Sequence, residues 1–252
     1  MKVALQLYTV RDKMARDYLS TLRGVRDVGY KAVEFAGHPF GTVEAGELRD
    51  VLKRLGLKPV SAHVGFNLIE SQPDMVFCYA KEVGLEYIVS EPDVRAIKSL
   101  EDCLKVAEKM EAMGGKAREY GLKFGMHNHA IEFEKKIGGD TVYNILVENT
   151  SPSLVFFQPD VYWVFYAGYD PCDVIRSLKG RCDLVHLKDM KDEVSKDMVE
   201  LGQGVIDMRA VIDACNEAGT EWGIVENDRP TMDSIESVRV ALEYLKRNFR
   251  VE

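Results

Sequence analysis

The sequence predicts an α/β protein, a single-domain (β/α)8 TIM barrel that spans residues 1–252. Short apolar segments alternate with longer amphipathic ones from one end of the chain to the other, which is the order of a parallel sheet with crossover helices. The length agrees with this fold, because such barrels commonly contain about 250 residues. The histidines are the third observation, since each of them lies at or just after one of the apolar segments.

The eight predicted strands are short apolar segments that end in polar residues. They cover residues 3–9, 32–36, 59–64, 87–91, 123–129, 154–160, 184–189 and 222–227. Apolar residues at helical spacing predict helices, among them residues 21–28, 43–55, 100–120 and 205–218. A glycine precedes most of the strands, which is typical of the end of a helix. An open Rossmann-type sheet is the competing fold, but the first strand is not followed by the G-x-G-x-x-G pattern of that fold.

The composition narrows the class of protein and its partners. Apolar residues make up 46% and charged residues 29% of the chain, which is ordinary for a globular protein with one large core. The formal charge of −8 argues against a nucleic-acid partner, which requires clustered Lys and Arg. No apolar stretch approaches the roughly 18 residues of a membrane span, and the N-terminus lacks a signal-peptide pattern. We therefore predict a cytoplasmic protein without a membrane partner, whose cysteines are free thiols.

Carboxylates and histidines gather at the predicted carboxyl ends of the strands, the face on which TIM barrels carry their active sites. The histidines are His38, His63, His127, His129 and His186. The carboxylates at equivalent positions are Glu34, Glu91, Glu132, Asp160 and Glu226. Because side chains alternate along a strand, His186 and Lys188 point to the same face. Four consecutive strand ends thus offer one imidazole and three carboxylates to a divalent cation, although a single carboxylate at such a position can merely cap a helix.

Motifs with a fixed order and spacing run through nearly the whole chain. They are Gln6-Leu7-Tyr8-Thr9-Val10-Arg11, Val33-Glu34, Ala62-His63, His127-Asn128-His129-Ala130-Ile131-Glu132-Phe133, Phe157-Gln158-Pro159-Asp160-Val161-Tyr162-Trp163 with Ala167-Gly168, His186-Leu187-Lys188-Asp189 and Gly202-Gln203-Gly204-Val205-Ile206-Asp207. Together they resemble the sugar phosphate isomerase/epimerase group of the xylose isomerase-like TIM barrels. The resemblance identifies the superfamily but does not choose the substrate.

The resemblance implies one divalent metal ion at this face. Mn²⁺ is expected first, with Mg²⁺, Co²⁺ and Zn²⁺ as alternatives. Carried over position by position, the ligands are Glu132, Asp160, His186 and Glu226. Epimerases of the group often carry the first of these carboxylates inside the fifth strand, where this chain has Met126-His127-Asn128. Glu134 and His129 are therefore alternatives to Glu132.

The predicted function is that of an isomerase or epimerase of a sugar or keto-sugar, with or without a phosphate, that acts through an enediolate intermediate. A metal ion polarises the carbonyl and stabilises the enediolate. Glu132 and Glu226 are the expected catalytic carboxylates, which remove and return the proton from opposite faces. The substrate-binding residues are expected to be His63, His127, Lys188 and Glu34.

Three other functions stay open on the sequence. The same site architecture supports a lyase that expels a β-leaving group from a keto-inositol or a 3-keto-glycoside. A metal-binding subunit without activity of its own is the second. An apurinic endonuclease is the third, but the charge of −8 and only five histidines argue against its basic surface and its His-rich metal cluster. The expected partner is a small carbohydrate rather than a nucleic acid or a membrane, and a homo-oligomer stays an open alternative.

Overall fold

The structure, a computed structural model, describes residues 1–251 and has the predicted barrel architecture. Its parallel strands are β1 (Lys2–Gln6), β2 (Ala32–Ala36), β3 (Lys58–His63), β4 (Tyr87–Ser90), β5 (Lys123–His127), β6 (Val155–Gln158), β7 (Leu184–Leu187) and β8 (Trp222–Val225). They are ordered β6-β5-β4-β3-β2-β1-β8-β7 in one sheet. The two edge strands then meet, because the amide of Phe157 donates to the carbonyl of Arg181 at 2.8 Å and the amide of His186 to that of Pro159 at 2.9 Å.

Several strands end earlier than the sequence predicts. The first predicted strand runs to residue 9, but β1 ends at Gln6, whose side chain accepts the amide N–H of Tyr8 and starts a 3-10 turn. The predicted strand 154–160 likewise stops at Gln158, because Asp160 accepts the amides of Tyr162 and Trp163 and begins the short helix Val161–Tyr166. The polar residues at the ends of the predicted strands therefore belong to the loops that line the barrel mouth.

Eight longer helices cover the outside of the sheet. They are α1 (Tyr18–Val28), α2 (Ala45–Leu55), α3 (Pro73–Val83), α4 (Leu100–Glu119), α5 (Val142–Glu148), α6 (Pro171–Ser177), α7 (Met208–Ala218) and α8 (Ser234–Asn248). As predicted, α1 and α7 end at glycines in the left-handed region, Gly29 at φ 114° and Gly219 at φ 86°. Within residues 1–251, every helix is too short or too polar to cross a membrane.

Two apolar layers hold the barrel together. The layer between sheet and helices is the larger one, and four of the five cysteines, all of them free, are buried. The layer inside the barrel contains Ala4, Ala32, Val60, Tyr87, Val89, Phe156, Leu184, Trp222 and Ile224. Gly125 makes room for this inner layer, because a Cβ atom there would lie 2.5 Å from the ring of Phe156. The inner layer closes the barrel from below and leaves its upper end for polar side chains.

The Gly202-Gln203-Gly204 turn supports the loop that follows β7. The buried carboxylate of Asp189 accepts the amides of Gly202 at 2.9 Å, Gly204 at 3.0 Å and Ile206 at 3.2 Å. A Cβ atom on Gly204 would lie 2.2 Å from Oδ1 of Asp189, so only glycine fits. This turn therefore anchors the antiparallel pair Asp189–Met190 and Met198–Val199 beside the barrel mouth.

Candidate metal and active site

The polar side chains of the barrel mouth stand directly above the inner apolar layer. On each strand the side chain two residues after an apolar inward residue also points inward. Glu34 thus follows Ala32, and Glu226 follows Ile224. Above them opens a cavity of about 640 Å³, lined by residues of the strand ends and of the loop after β7. We call it the catalytic cavity.

Asp160, His186 and Glu226 bring one potential ligand atom each to within 4.8 Å of one another. All three residues are buried. Nδ1 of His186 lies 2.7 Å from Oε2 of Glu226 and 3.9 Å from Oδ2 of Asp160. Oδ2 of Asp160 is buried, and its contacts are with the cationic or titratable side chains of Lys188, His186 and His127. The structure thus brings together three of the four residues that the sequence proposed as ligands.

Lys188 brings a positive charge into the same group of carboxylates. Its ammonium lies 2.9 Å from Oδ2 of Asp160, 2.7 Å from Oε2 of Glu226 and 3.0 Å from Oδ1 of Asp228. Burial alone would lower the pKa of Lys188, but these three carboxylates raise it well above its ordinary value. The group is therefore charged, and it neutralises part of the negative charge that the carboxylates place in the barrel.

Glu34 lies beneath the group and is fully buried. Its carboxylate accepts hydrogen bonds from Gln6 at 2.9 Å, Gln158 at 2.8 Å and Ser61. It also contacts Nε2 of His186, so both ring nitrogens of that histidine face a carboxylate. Burial would lower the pKa of His186, but Glu34 and Glu226 raise it to about 9. Glu34 thus orients the imidazole from the side opposite Asp160 and Glu226.

His63 and His127 lie at the floor of the cavity, and their pKa values are shifted in opposite directions. Burial favours the neutral form of both rings. For His63, Glu34 and Glu91 overcome burial and raise the pKa well above its ordinary value. For His127, burial and the positive charges of His186 and His63 together lower the pKa well below it. Both rings contact Oε1 of Gln158, at 2.9 Å from Nε2 of His63 and 3.1 Å from Nδ1 of His127.

Glu132, the fourth predicted ligand, does not lie with Asp160, His186 and Glu226. Its carboxylate accepts the amide of His129 at 2.8 Å, and it lines a neighbouring cavity rather than the catalytic one. Among residues 1–251, the groups with metal-ligand geometry do not include it, nor do they include Glu134. His127 comes from the same strand end instead, with Nε2 3.6 Å from Oδ2 of Asp160. A metal-binding role for Glu132 stays a prediction.

Gln158 and Asp228 belong to the site although the sequence did not single them out. Gln158 connects Glu34 with His63 and His127, and Asp228 completes the carboxylates around Lys188. Strand alternation could have found Gln158, which lies two positions after the inward-facing Phe156 on β6. Asp228 lies beyond the end of β8, where alternation gives no signal.

The family follows from a comparison with known protein families. Residues 22–248 match the model of the xylose isomerase-like TIM barrel. The chain belongs to this family. The match covers seven of the eight barrel strands and all four strand ends on which the candidate ligands were expected.

Proteins that resemble this chain include inosose dehydratases and sugar phosphate isomerase/epimerases. The chain is 26% identical over 166 residues to an inosose dehydratase of Clostridium perfringens, a match that covers 63% of this chain and 49% of that protein. It therefore spans about half the length of the curated relatives that it matches. A sugar phosphate isomerase/epimerase of Parabacteroides distasonis superposes with a TM-score of 0.86 at 22% identity, over 98% of this chain and 94% of the other.

A second solved structure is the IolI protein with a bound zinc atom. It superposes with a TM-score of 0.77 at 18% identity and covers 98% of this chain and 97% of the other, a likeness that shows the shared fold. In the present chain the donor set itself fits a divalent cation. Asp160, His186 and Glu226 offer buried oxygen and nitrogen donors within 4.8 Å of one another, and Glu34 supports His186 from behind, as carboxylates commonly do for metal-bound histidines. Imidazole and carboxylate donors suit Zn²⁺ as well as Mn²⁺.

Proposed function

We propose that this protein is a metal-dependent lyase that removes water from a cyclic keto-polyol of the inosose class. The geometry that carries the proposal is the convergence of Asp160, His186 and Glu226 beside the catalytic cavity, which Glu226 lines. The dehydratase relatives favour water elimination over the isomerisation or epimerisation that we expected first. Both kinds of reaction begin in the same way, with removal of a proton beside a carbonyl group.

Asp160, His186 and Glu226 would hold the divalent cation. When bound, the cation supplies a Lewis acid that polarises the carbonyl group of the substrate. Glu34 keeps His186 oriented, and His127 lies next to Asp160 as a further donor from β5. The catalytic cavity is large enough for a polyol ring, since ligand pockets range from about 300 to 1,000 Å³.

Proton removal requires an ionised base, and we assign that role to the carboxylate oxygen of Glu226 that does not hold the cation. Burial would raise its pKa, but Lys188 and His186 lower it well below the ordinary value. The ammonium of Lys188 lies 2.7 Å from Oε2 of Glu226, where it would stabilise the negative charge that develops on the substrate after proton removal. Both residues line the cavity.

The hydroxyl group that is eliminated must gain a proton to leave as water, and His63 is the proposed proton donor. Its raised pKa keeps the imidazole protonated, since Glu34 and Glu91 lie 3.3 Å and 3.4 Å from its two nitrogens. The elimination then balances. One C–H bond and one C–O bond break, and a C=C bond forms. The proton from carbon goes to Glu226, and the proton from His63 goes to the hydroxyl that departs as water.

The first test is metal content, measured by elemental analysis of the purified wild type, His186→Ala and Glu226→Ala. His38→Ala is the matched control, because His38 is exposed and its ring contacts Thr42. We expect about one bound Mn²⁺, Co²⁺ or Zn²⁺ per chain in wild type and control and much less in the other two variants. A wild type that takes up no divalent metal contradicts the proposal.

The second test follows a keto-inositol in D₂O by NMR. Uptake of deuterium at carbon together with formation of an enone supports the lyase. Deuterium uptake without loss of water favours an isomerase or epimerase instead. A metal-loaded protein that produces neither signal overturns both.

A further inference from the structure

A second cavity lies beside the catalytic one. It has a volume of about 750 Å³ and is formed by the loops after β3, β4 and β5. Four residues line both cavities, namely Glu91, His129, Trp163 and Tyr166. The two spaces therefore share a wall, and we call the second one the adjacent cavity.

The shared wall consists of side chains in mutual contact. Nδ1 of His129 lies 3.3 Å from Oε2 of Glu91, and its ring lies 5.3 Å from the ring of Trp163. Trp163 in turn packs edge-on against Tyr166 at 5.4 Å. The side chains of His129 and Glu91 are 42% and 36% exposed, so solvent or a ligand can reach this wall.

The lining of the adjacent cavity suits a sugar ring. Phe66, Trp163 and Tyr166 provide aromatic surface, and Asn67, Arg95 and Glu134 provide polar groups around it. Aromatic faces accept the apolar side of a polyol ring, and polar groups at the edge bind its hydroxyls. A single keto-polyol ring bound in the catalytic cavity would leave the adjacent cavity unfilled.

We propose that the substrate is a glycoside with two rings, whose reacting ring lies in the catalytic cavity and whose second sugar ring lies in the adjacent cavity against Trp163. The inference rests on the proposed function, because it uses that site for the reacting ring. It changes the substrate class from a free cyclic polyol to one that carries a ring-sized sugar substituent.

Binding can be measured through Trp163 itself. The chain has two tryptophans, and Trp222 lies at the opposite, N-terminal end of β8. In a Trp222→Phe background, fluorescence therefore reports on the shared wall alone. The probes are trehalose, maltose and cellobiose, which differ in linkage, with glucose and myo-inositol as single-ring compounds, all in the presence of Mn²⁺. We expect at least one disaccharide to bind about tenfold more tightly than either single-ring compound, the gain of roughly one stacked ring.

A bulky residue at Gly65 tests where the second ring lies. Gly65 lines the adjacent cavity at φ −56°, and a Cβ atom there meets nothing within 4 Å. Gly65→Phe should fill the cavity without backbone strain and abolish the tenfold preference. Gly115→Phe is the matched control, since Gly115 on α4 also has open space around its Cβ. Asn67→Phe, at an exposed position of the same cavity, provides a second filling variant that adds no tryptophan.

The outcomes separate this inference from the proposed function. Loss of disaccharide binding in both filling variants, with deuterium uptake by a keto-inositol unchanged, supports the inference. Equal binding of disaccharides and single-ring compounds by wild type overturns it, as does an unchanged preference in folded Gly65→Phe and Asn67→Phe. A wild type that prefers a disaccharide but binds no metal leaves the inference standing and overturns the proposed function alone.

Discussion

The ammonium of Lys188 and the imidazole of His186 share one oxygen, since Nζ of Lys188 and Nδ1 of His186 both lie 2.7 Å from Oε2 of Glu226. Two cationic groups therefore neutralise the carboxylates that are proposed to hold a metal ion. This arrangement explains how so many buried carboxylates are tolerated in the folded barrel, because a buried charge is costly unless it is paired. The contribution of these two cationic groups to stability and to metal binding can therefore be measured.

Replacement of Lys188 by methionine should destabilise the metal-free protein and strengthen its binding of cations. The substitution leaves Asp160, Glu226 and Asp228 without their shared partner, so we expect a loss of about 3 kcal/mol or more in the free energy of unfolding. Added Mn²⁺ should recover much of that loss. Urea unfolding with and without Mn²⁺ measures both effects.

Lys116→Met is the matched control for that experiment. Lys116 pairs with Asp74 at 2.8 Å and with Glu119 at 2.9 Å, but on the surface of α4. Water screens exposed ion pairs, so they contribute little to stability and this variant should unfold almost as the wild type does. Equal destabilisation in the two variants would show that the buried ion pairs of Lys188 stabilise the protein no more than the exposed pairs of Lys116 do.

Metal affinity should increase with pH. The pKa of His186 is raised to about 9, chiefly because Glu34 and Glu226 oppose the effect of burial, so the free site holds a proton on this ring at neutral pH. A metal ion requires the unprotonated nitrogen, and binding must release that proton. Below pH 9 the affinity should rise by up to about tenfold per pH unit. Calorimetric titrations in two buffers with different heats of ionisation give the number of protons released, and a value near zero would contradict the assignment.

Glu132→Gln should stabilise the protein at alkaline pH. Burial raises the pKa of Glu132 to about 7 from an ordinary value of 4.5, so the folded state holds this proton more tightly than the unfolded state does. The folded state is therefore favoured below pH 4.5 and loses up to roughly 3 kcal/mol as the pH rises through 7. Glutamine keeps an oxygen for the amide of His129 and carries no charge. Thermal unfolding at pH 5 and at pH 8.5 should show the gain mainly at pH 8.5.

Glu108→Gln supplies the comparison for the preceding variant. Glu108 is exposed on α4, so its replacement should alter stability equally at both pH values. A gain for Glu132→Gln that is the same at pH 5 and pH 8.5 would mean that the ionisation of Glu132 is not the cause.

Gly125→Ala should loosen the barrel interior. The added Cβ would lie 2.5 Å from the ring of Phe156, and the closely packed inner layer has little room to move it. We expect a loss of about 2 kcal/mol, measured by urea unfolding. Gly115→Ala, in open space on α4, should instead raise stability by about 0.5–1 kcal/mol through helix propensity. A neutral Gly125→Ala would indicate that Phe156 can take another position.

The spacing of apolar residues and the positions of glycines were sufficient to predict the barrel and the face at which the candidate site lies. Strand β2 and the ends of α1 and α7 coincide with the predicted boundaries, because apolar spacing and glycine ends are properties of a short segment. The boundaries at residues 9 and 160 were wrong, since the side chains of Gln6 and Asp160 bind nearby amides and turn the chain out of the sheet. Such side-chain to backbone bonds compete with strand pairing and leave the apolar pattern unchanged.

The sequence by itself indicated most of the polar residues at the barrel mouth, because strand alternation fixes the direction of every second side chain. Only the tertiary structure decided which of them meet. His186 and Glu34 are in contact although 152 positions separate them, and Gln158 reaches Glu34 across 124 positions. Glu132 turns back to the amide of His129, three positions away, while Asp160, His186 and Glu226 converge. The reason is physical. Closure of the barrel sets the distances between side chains from different strands, and that closure depends on the packing of the whole chain.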